Sequence, residues 1–576
     1  MTRYGARPVA GGGFEFCVWA ERQKALRLRL DGREMAMVRN ARGEFRVQAP
    51  EARAGQDYQF VVDSGDARPD PASRWQPYGV HGASRLCDGS GFGWTDANWR
   101  GLELKDYVFY ELHTGTFTER GTFEAAMERL DHLVTLGVTA VELMPVAEFP
   151  GGRNWGYDGV TLYAPQSSYG GPEGLRALVN ACHERGLAVV LDVVYNHLGP
   201  EGNYLGEFAG YFTGRHQTPW GNAIDYAREE VRRFFLDNAI YWMREFHVDA
   251  LRLDAVHGIF DDSADHILAE MAREVSTFGA QTGRRVYLIA ESERGDVRGC
   301  GIDSIWHDEF HHALAPLLTG NRRGYLGEYG KEEQAAQAAG EGFVLWEAGD
   351  EPWRPEQLVA FIQNHDQVAN AFLGDRQGAL LTVQQQQVAA AVLCFSPWLP
   401  LLFMGQEYGE SNPFLYFISH SDKWLIEAVR KGRRREFEPF YGRRPFPDPQ
   451  DGETFERCKL DWGKVGKAGH AEVLASYQDL LRFRKLLRSP GPGEVRARST
   501  EGCLVIERPE ATLAANLSGE ERVVQAAGQH LAWSTGHVVD ASGENVRLGP
   551  WSAAIYFLSS SGVTGSIKGQ LSVPMR

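Results

Sequence analysis

Between residues 107 and 407 the chain repeats one pattern eight times: a short, strongly apolar segment followed by a stretch with helical periodicity. The segments are YVFYELH (107–113), VTAVELMP (138–145), LAVVLDVVYNH (187–197), HVDALRLDAV (247–256), VYLIAES (286–292), IDSIWHDEF (302–310), LVAFIQNHD (358–366) and PLLFMGQE (400–407). Strands of a parallel sheet are buried on both faces, so they read as continuous apolar runs with crossover helices between them. Eight such units favour an α/β fold closed into a (β/α)8 TIM barrel over an open sheet. Two connections are longer than a crossover needs, after the third segment and between the sixth and seventh, and long insertions on a barrel tend to be binding loops. ERGDVRGCG, between the fifth and sixth, is too short for a full helix.

The flanks have a different texture. FEFCVWA (14–20), LRLRLDG (26–32) and YQFVV (58–62) alternate in short runs with Gly, Asp and Pro between them, which predicts an N-terminal β-sandwich over 1–100. Barrel and loop insertions then occupy 101–490. After an amphipathic helix at AEVLASYQDLLRFRKLL (471–487), the runs CLVIER, ATLAANL and WSAAIYFL predict a C-terminal β-domain over 491–560. Residues 561–576 have little to bury and read as a flexible tail.

A net charge of −16 excludes nucleic acid or an anionic membrane surface as the main partner and suits a neutral ligand. The seven cysteines at 17, 87, 182, 300, 394, 458 and 503 form no CxxC pair, which fits a reducing compartment and argues against a thiolate metal site. With no secretory h-region in MTRYGARPVAGGG, the expected location is cytoplasmic. The apolar run VAAAVLCFSPWLPLLFM (388–404) is short for a membrane span and is broken by Pro397 and Pro400; it reads as a buried helix, a turn and a buried strand.

Four of the predicted strands end in polar residues: Asn196 and His197; Arg252 and Asp254; Glu291 and Ser292; Asn364, His365 and Asp366. Active sites of barrels are built at the C-terminal ends of the strands, so these residues share one rim. Arg252 and Asp254 point to the same face of their strand and, taken alone, read equally well as a buried structural ion pair. Acids at neighbouring strand ends weaken that reading. Three acids without a ligand set for a metal suggest glycoside cleavage, with one carboxylate attacking the anomeric carbon and one carboxylic acid protonating the leaving oxygen. Arg252 is expected to keep Asp254 ionised as nucleophile. Glu291 follows the apolar run VYLIA with no adjacent cation in sequence, and is expected to be the proton donor. Asp366 is left to stabilise the cationic ring. His197 and His365 can donate to sugar hydroxyls, and Trp155, Tyr157, Tyr204 and Trp220 are candidate sugar platforms, although loop aromatics serve packing as readily. No metal or cofactor is expected.

DVVYNH (192–197), LRLDAVH (251–257), AES (290–292) and QNHD (363–366), in this order, resemble the α-amylase superfamily, glycoside hydrolase family 13. The resemblance implies the same roles for Asp254, Glu291 and Asp366, retention of the α-anomer through a covalent glycosyl-enzyme, and the usual plan of flanking β-domains, the first like a carbohydrate-binding module. A longer likeness, over VFYELHTGTFTERGTF (108–123), NWGYDG (154–159), YNHLGPEGNYL (195–205), LDAVHGIFDDSADHILAEMA (253–272), IWHDEFHHAL (305–314), QNHDQVAN (363–370) and FMGQEYGESNPFLYF (403–417), is to a trehalose-releasing branch of that superfamily. It implies hydrolysis of the α-1,4 bond next to the terminal trehalose of maltooligosyltrehalose. It also implies a functional pairing with a maltooligosyltrehalose synthase, and substrate contacts at Asp308, His311, His312, Gln367 and Asn370, beside those expected at Arg252, His257, His197, Tyr157 and His365. A glycogen branching enzyme shares this plan but is expected to carry Arg and Tyr soon after the nucleophile strand, where this chain has GIFDDSADHIL; a debranching enzyme is a further alternative. A non-catalytic glycan-binding protein would typically have lost one of the acids, and all three are present.

Overall fold

The computed structural model describes residues 2–558 apart from 219–220, 294–296, 347–350, 443, 527, 529 and 541–544. The expected tail at 561–576 and the expected platform residue Trp220 lie outside the described residues.

All eight predicted strands form: β1 (Phe109–Leu112), β2 (Ala140–Leu143), β3 (Ala188–Val193), β4 (Ala250–Leu253), β5 (Tyr287–Ala290), β6 (Ser304–His307), β7 (Leu358–Phe361) and β8 (Leu399–Phe403). They pair in parallel in that order and β8 closes on β1, which makes the predicted barrel. Tyr107, Phe109, Val190, Ile289, Trp306, Val359, Phe361 and Leu401 fill its interior. Each large side chain taken fully out of water there contributes about 1.5 to 3 kcal/mol. Between β5 and β6 the described connection is only a turn at Arg298–Cys300, as its length dictates. The long insertion after β3 holds a two-stranded sheet, Phe212–Thr218 with Gly221–Ile224, and that after β6 holds helices Asp308–Thr319 and Glu332–Gly340.

The apolar run before β8 forms the helix Val383–Phe395, capped by Thr382, and then the strand itself. No helix among the described residues is long and apolar enough to cross a membrane. Arg484, at the end of helix His470–Arg484, donates to the carbonyls of Cys394, Ser396 and Trp398 and so ties down the turn between them.

N-terminal to the barrel, two antiparallel sheets face each other over Phe16, Leu28, Phe45, Tyr58 and Phe60. Trp19 leaves that core to meet Tyr211 of the insertion after β3, edge to face at 5.0 Å, so the sandwich braces the loop that overhangs the barrel. C-terminal to it, a five-stranded and a three-stranded sheet share Val505, Ala514, Val524, Val546 and Leu548.

Candidate active site at the barrel rim

Parallel pairing sets Asp192 of β3 beside Arg252 of β4, and Leu253 beside Ala290 of β5. One residue further on, Asp254 and Glu291 emerge as neighbours at the C-terminal ends. The Arg252 guanidinium is fully buried, lies 4.1 Å over the Trp306 ring, and spends its donors on three carboxylates. Nη1 donates to Asp192 Oδ2 and to Asp254 Oδ1, both at 2.8 Å, and Nη2 donates to Glu291 Oε2 at 2.7 Å. Asn196 Nδ2 donates to Asp254 Oδ2 at 2.7 Å, so both oxygens of Asp254 are oriented.

That geometry corrects one expectation. Glu291 has no adjacent cation in sequence and is expected to sit in unlike surroundings from Asp254, yet Arg252 reaches both. The reason is register: the fork of an arginine spans adjacent strand ends, a relation that sequence spacing within one strand does not reveal. What separates the two acids is access and backbone. The Asp254 and Glu291 side chains are 11% and 17% exposed, and Ala255 donates its N–H to Glu291 Oε2 at 3.0 Å. Ala255 does so from φ 39°, a left-handed conformation that costs a residue with a Cβ roughly 1 to 3 kcal/mol. Both bonds fall on Oε2, and Oε1 takes none among the described residues.

On the opposite side, His365 caps the chemistry. Its Nε2 is 2.8 Å from the Tyr157 hydroxyl and 3.5 Å from Asp366 Oδ1, and its Nδ1 is 2.5 Å from Glu111 Oε1. Tyr157 stacks on the His365 ring and donates to Asp192 Oδ2 at 2.6 Å. Gly156 makes that placement possible: at φ 109°, a Cβ there would sit 2.1 Å from the Pro145 carbonyl oxygen.

Acids outnumber cations in this rim, and the titration behaviour follows. Burial, with Asp254 adding to it, pushes Asp192 up to about 7 against the pull of Arg252. Glu142 of β2 is raised well above the carboxylate range by burial and by Glu111 and Asp192; neither of its oxygens, nor Asp192 Oδ1, has a hydrogen-bond partner among the described residues. Desolvation and the nearby Glu291 and Asp366 likewise raise Asp308. Burial alone would lower His365, but Asp366 and Glu111 carry it up to about 10. Glu111, Glu142 and Asp192 were not singled out from the sequence; each is a lone acid inside an apolar strand, and that was the available signal.

The other expected contacts divide. Gln367 donates to Asp308 Oδ1 at 2.9 Å, joining those two at the rim. His197 turns its ring nitrogens to Asn196 Oδ1 and to the Tyr157 carbonyl, so it steadies Asn196 and through it Asp254. His257 sits beside Glu293, with Nε2 3.5 Å from Oε2. His311 and His312 pack behind the rim, His312 between Tyr325 and Tyr329, and burial lowers both rings, His312 to about 4. Asn370 is turned to Arg433 of helix Lys423–Tyr441, which donates to its Oδ1 at 3.1 Å. Trp155 is a packing residue, its indole bonded to the Leu415 carbonyl and its ring against Phe414 and Tyr416. Tyr204 is held by His81 and Arg68 of the N-terminal region. Long-range packing decides where a loop aromatic goes, and the sequence does not display it.

Residues 85–212 match the family model described as the α-amylase catalytic domain. The chain is 43% identical over 497 residues to the malto-oligosyltrehalose trehalohydrolase of Saccharolobus solfataricus, covering 82% of this chain and 85% of the relative. It is 40% identical to that of Mycobacterium tuberculosis, covering 92% of this chain and 97% of the relative. A crystal structure from Salmonella typhimurium, described as a candidate alpha amylase, superposes with a TM-score of 0.90 at 36% identity, covering 97% of this chain and all of that one. The chain belongs to the malto-oligosyltrehalose trehalohydrolase family, within the α-amylase superfamily.

Proposed function

We propose that the protein is a retaining glycosidase that cleaves the α-1,4 bond next to the terminal trehalose of maltooligosyltrehalose, releasing trehalose and a maltooligosaccharide. The observation that carries the mechanism is the single guanidinium of Arg252 joining Asp254 and Glu291 at 2.8 and 2.7 Å. Carboxyls tethered to the two nitrogens of one fork are close neighbours. Retaining enzymes keep theirs about 5 to 5.5 Å apart, whereas inverting enzymes need roughly 6.5 to 9.5 Å to admit a water between.

In this reading Asp254 attacks the anomeric carbon, with Arg252 and Asn196 orienting its oxygens. Glu291 gives its proton to the glycosidic oxygen as trehalose leaves, and then takes a proton from the water that cleaves the glycosyl-enzyme. Asp366 faces the oxocarbenium-like ring from the far side, and Tyr157 and His365 form the wall against which the ring sits. Asp308 and Gln367 extend the rim toward the bound glucan. The region 1–100 acts as a carbohydrate-binding-module-like sandwich beside the barrel. Substrate comes from a synthase that converts the reducing end of an α-glucan to trehalose, and the unpaired state of all seven cysteines supports a reducing, cytoplasmic setting.

Purified protein given maltotriosyl-trehalose is expected to release trehalose and maltotriose faster than it cuts maltopentaose. Equal or preferred cleavage of the plain oligosaccharide contradicts the trehalose-releasing assignment.

A further inference from the structure

The motif YELH on β1 places one residue in the rim that the mechanism above does not use. Glu111 is buried and contacts His365 twice: Oε2 accepts the His365 backbone N–H at 3.0 Å and Oε1 lies 2.5 Å from Nδ1. On the other edge of the ring, Nε2 meets the Tyr157 oxygen at 2.8 Å. Tyr157 has a single proton. Asp192 Oδ2 takes it at 2.6 Å while also accepting from Arg252; with both bonds on Oδ2, a proton held by Asp192, which burial raises to about 7, falls to Oδ1, which has no partner among the described residues. The Tyr157 oxygen must then accept from Nε2–H, while Glu111 accepts from Nδ1–H. Both ring nitrogens carry hydrogens, which is the imidazolium form.

We propose that Glu111 is a positioning residue of this site, fixing the His365 ring as a cation whose Nε2–H is turned toward the Tyr157 oxygen and Asp366. The proposal rests on the glycosidase reading of the rim and deepens it. A bidentate carboxylate that grips both the backbone and the ring of one histidine sets its position as well as its charge. The cation then offsets Asp366, 3.5 Å from Nε2, in a pocket where acids are in excess. The titratable and charged groups facing the ring are Glu111 from β1, Glu142 from β2, Tyr157, Asp192 from β3, Arg252 from β4, Asp366, and His113 at the end of β1, which burial and the neighbouring His365 lower to about 4. Of these, only Glu111 accepts from Nδ1.

The test compares wild type with Glu111→Gln, which keeps the shape and removes the charge, using full-length protein with 15N-labelled histidine. His365→Asn assigns the resonance. Wild-type His365 is expected to show both nitrogens protonated at pH 8, and the variant a neutral ring. The ratio of wild-type to variant kcat/KM on maltotriosyl-trehalose should rise from below about threefold at pH 5 to at least about tenfold at pH 9, because acid restores the cation that Glu111 otherwise maintains. A flat ratio, or a cationic ring in the variant at pH 8, overturns the proposal. If Glu111→Gln does not fold, the wild-type spectrum decides, and a neutral His365 at pH 8 overturns it. Absence of trehalose release by wild type would contradict the functional reading while leaving the ring assignment standing on its spectrum.

Discussion

Strand β4 carries an aspartate just before its first residue and another just after its last, and the two have opposite surroundings. Asp249, at the N-terminal end, accepts from Trp99 Nε1 at 2.8 Å, Arg284 Nη2 at 3.0 Å and the Val189 backbone at 2.9 Å, with His183 Nε2 at 2.9 Å. His183 is shared with Asp96 at 2.8 Å, and His247 also meets Asp96 at 2.7 Å. Charges there are matched, Asp96 and Asp249 facing His183, His247 and Arg284. Burial alone would raise Asp249, but His183 and Arg284 hold it low, and the same carboxylates raise His183 against its own burial. At the other end Asp254 shares its one arginine with two more acids, beside the Glu142 oxygens and Asp192 Oδ1, none of which has a hydrogen-bond partner among the described residues. Removing one member of a matched buried set strands its partner and destabilises the fold; unmatched acid beside a cleft is what proton transfer and nucleophilic attack require. In the mechanism proposed here, one strand divides the two tasks between its ends.

The sharpest way to break this comparison is to remove each carboxylate charge. Asp254→Asn is expected to lower kcat for trehalose release by at least about 10^4-fold, with the thermal midpoint unchanged or raised because an acid in excess has gone. Asp249→Asn should do the reverse, lowering stability by about 3 to 5 kcal/mol in denaturant unfolding while activity per folded molecule survives. If Asp254→Asn unfolds the protein or Asp249→Asn leaves its stability intact, the division fails. Next in size, Arg252→Lys replaces a fork by a point charge that cannot bond three carboxylates at once, and a loss of about 10^2 to 10^3-fold in kcat/KM is expected.

The pH dependence of stability sharpens the same contrast. His183 is raised in the folded state, so the stability it contributes is complete below its ordinary 6.5 and is lost as pH rises through the elevated folded value. Asp249 is lowered, so its contribution is present above the ordinary 3.8 and is lost as pH falls. The stability difference between wild type and His183→Gln should therefore be largest from about pH 4 to 6.5 and shrink as pH rises above that; a difference that stays undiminished well into the alkaline range would contradict the imidazolium. The smallest effect is expected from Glu142→Gln, since burial, with Glu111 and Asp192 nearby, already pushes that carboxyl toward its neutral form: activity within about threefold and stability within about 0.5 kcal/mol.

Much of this was legible beforehand, for reasons that differ by residue. The barrel declared itself because two-sided burial forces apolar runs, and Asp254, Glu291 and Asp366 stood out because polar residues ending such runs face the rim. The triple contact of Arg252 was hidden in the register between β3, β4 and β5. Asp192, Glu111 and Glu142 looked like isolated acids in core strands, and only closure of the barrel brings them under His365 and Arg252. Trp155 and Tyr204 were ambiguous in principle, because a loop aromatic stacks on whatever distant segment arrives, here Phe414 and Arg68.

In the proposed mechanism the C-terminal aspartate of β4 bonds covalently to sugar. An activated, fluorinated α-glucosyl substrate whose glycosyl-enzyme turns over slowly, followed by proteolysis and peptide mass spectrometry, tests it directly. One glycosylated peptide is expected, spanning FHVDALRLDAVHGI, modified at Asp254 and unmodified at Asp249. A label on Glu291 or Asp366, or inverted product with no adduct, would contradict it.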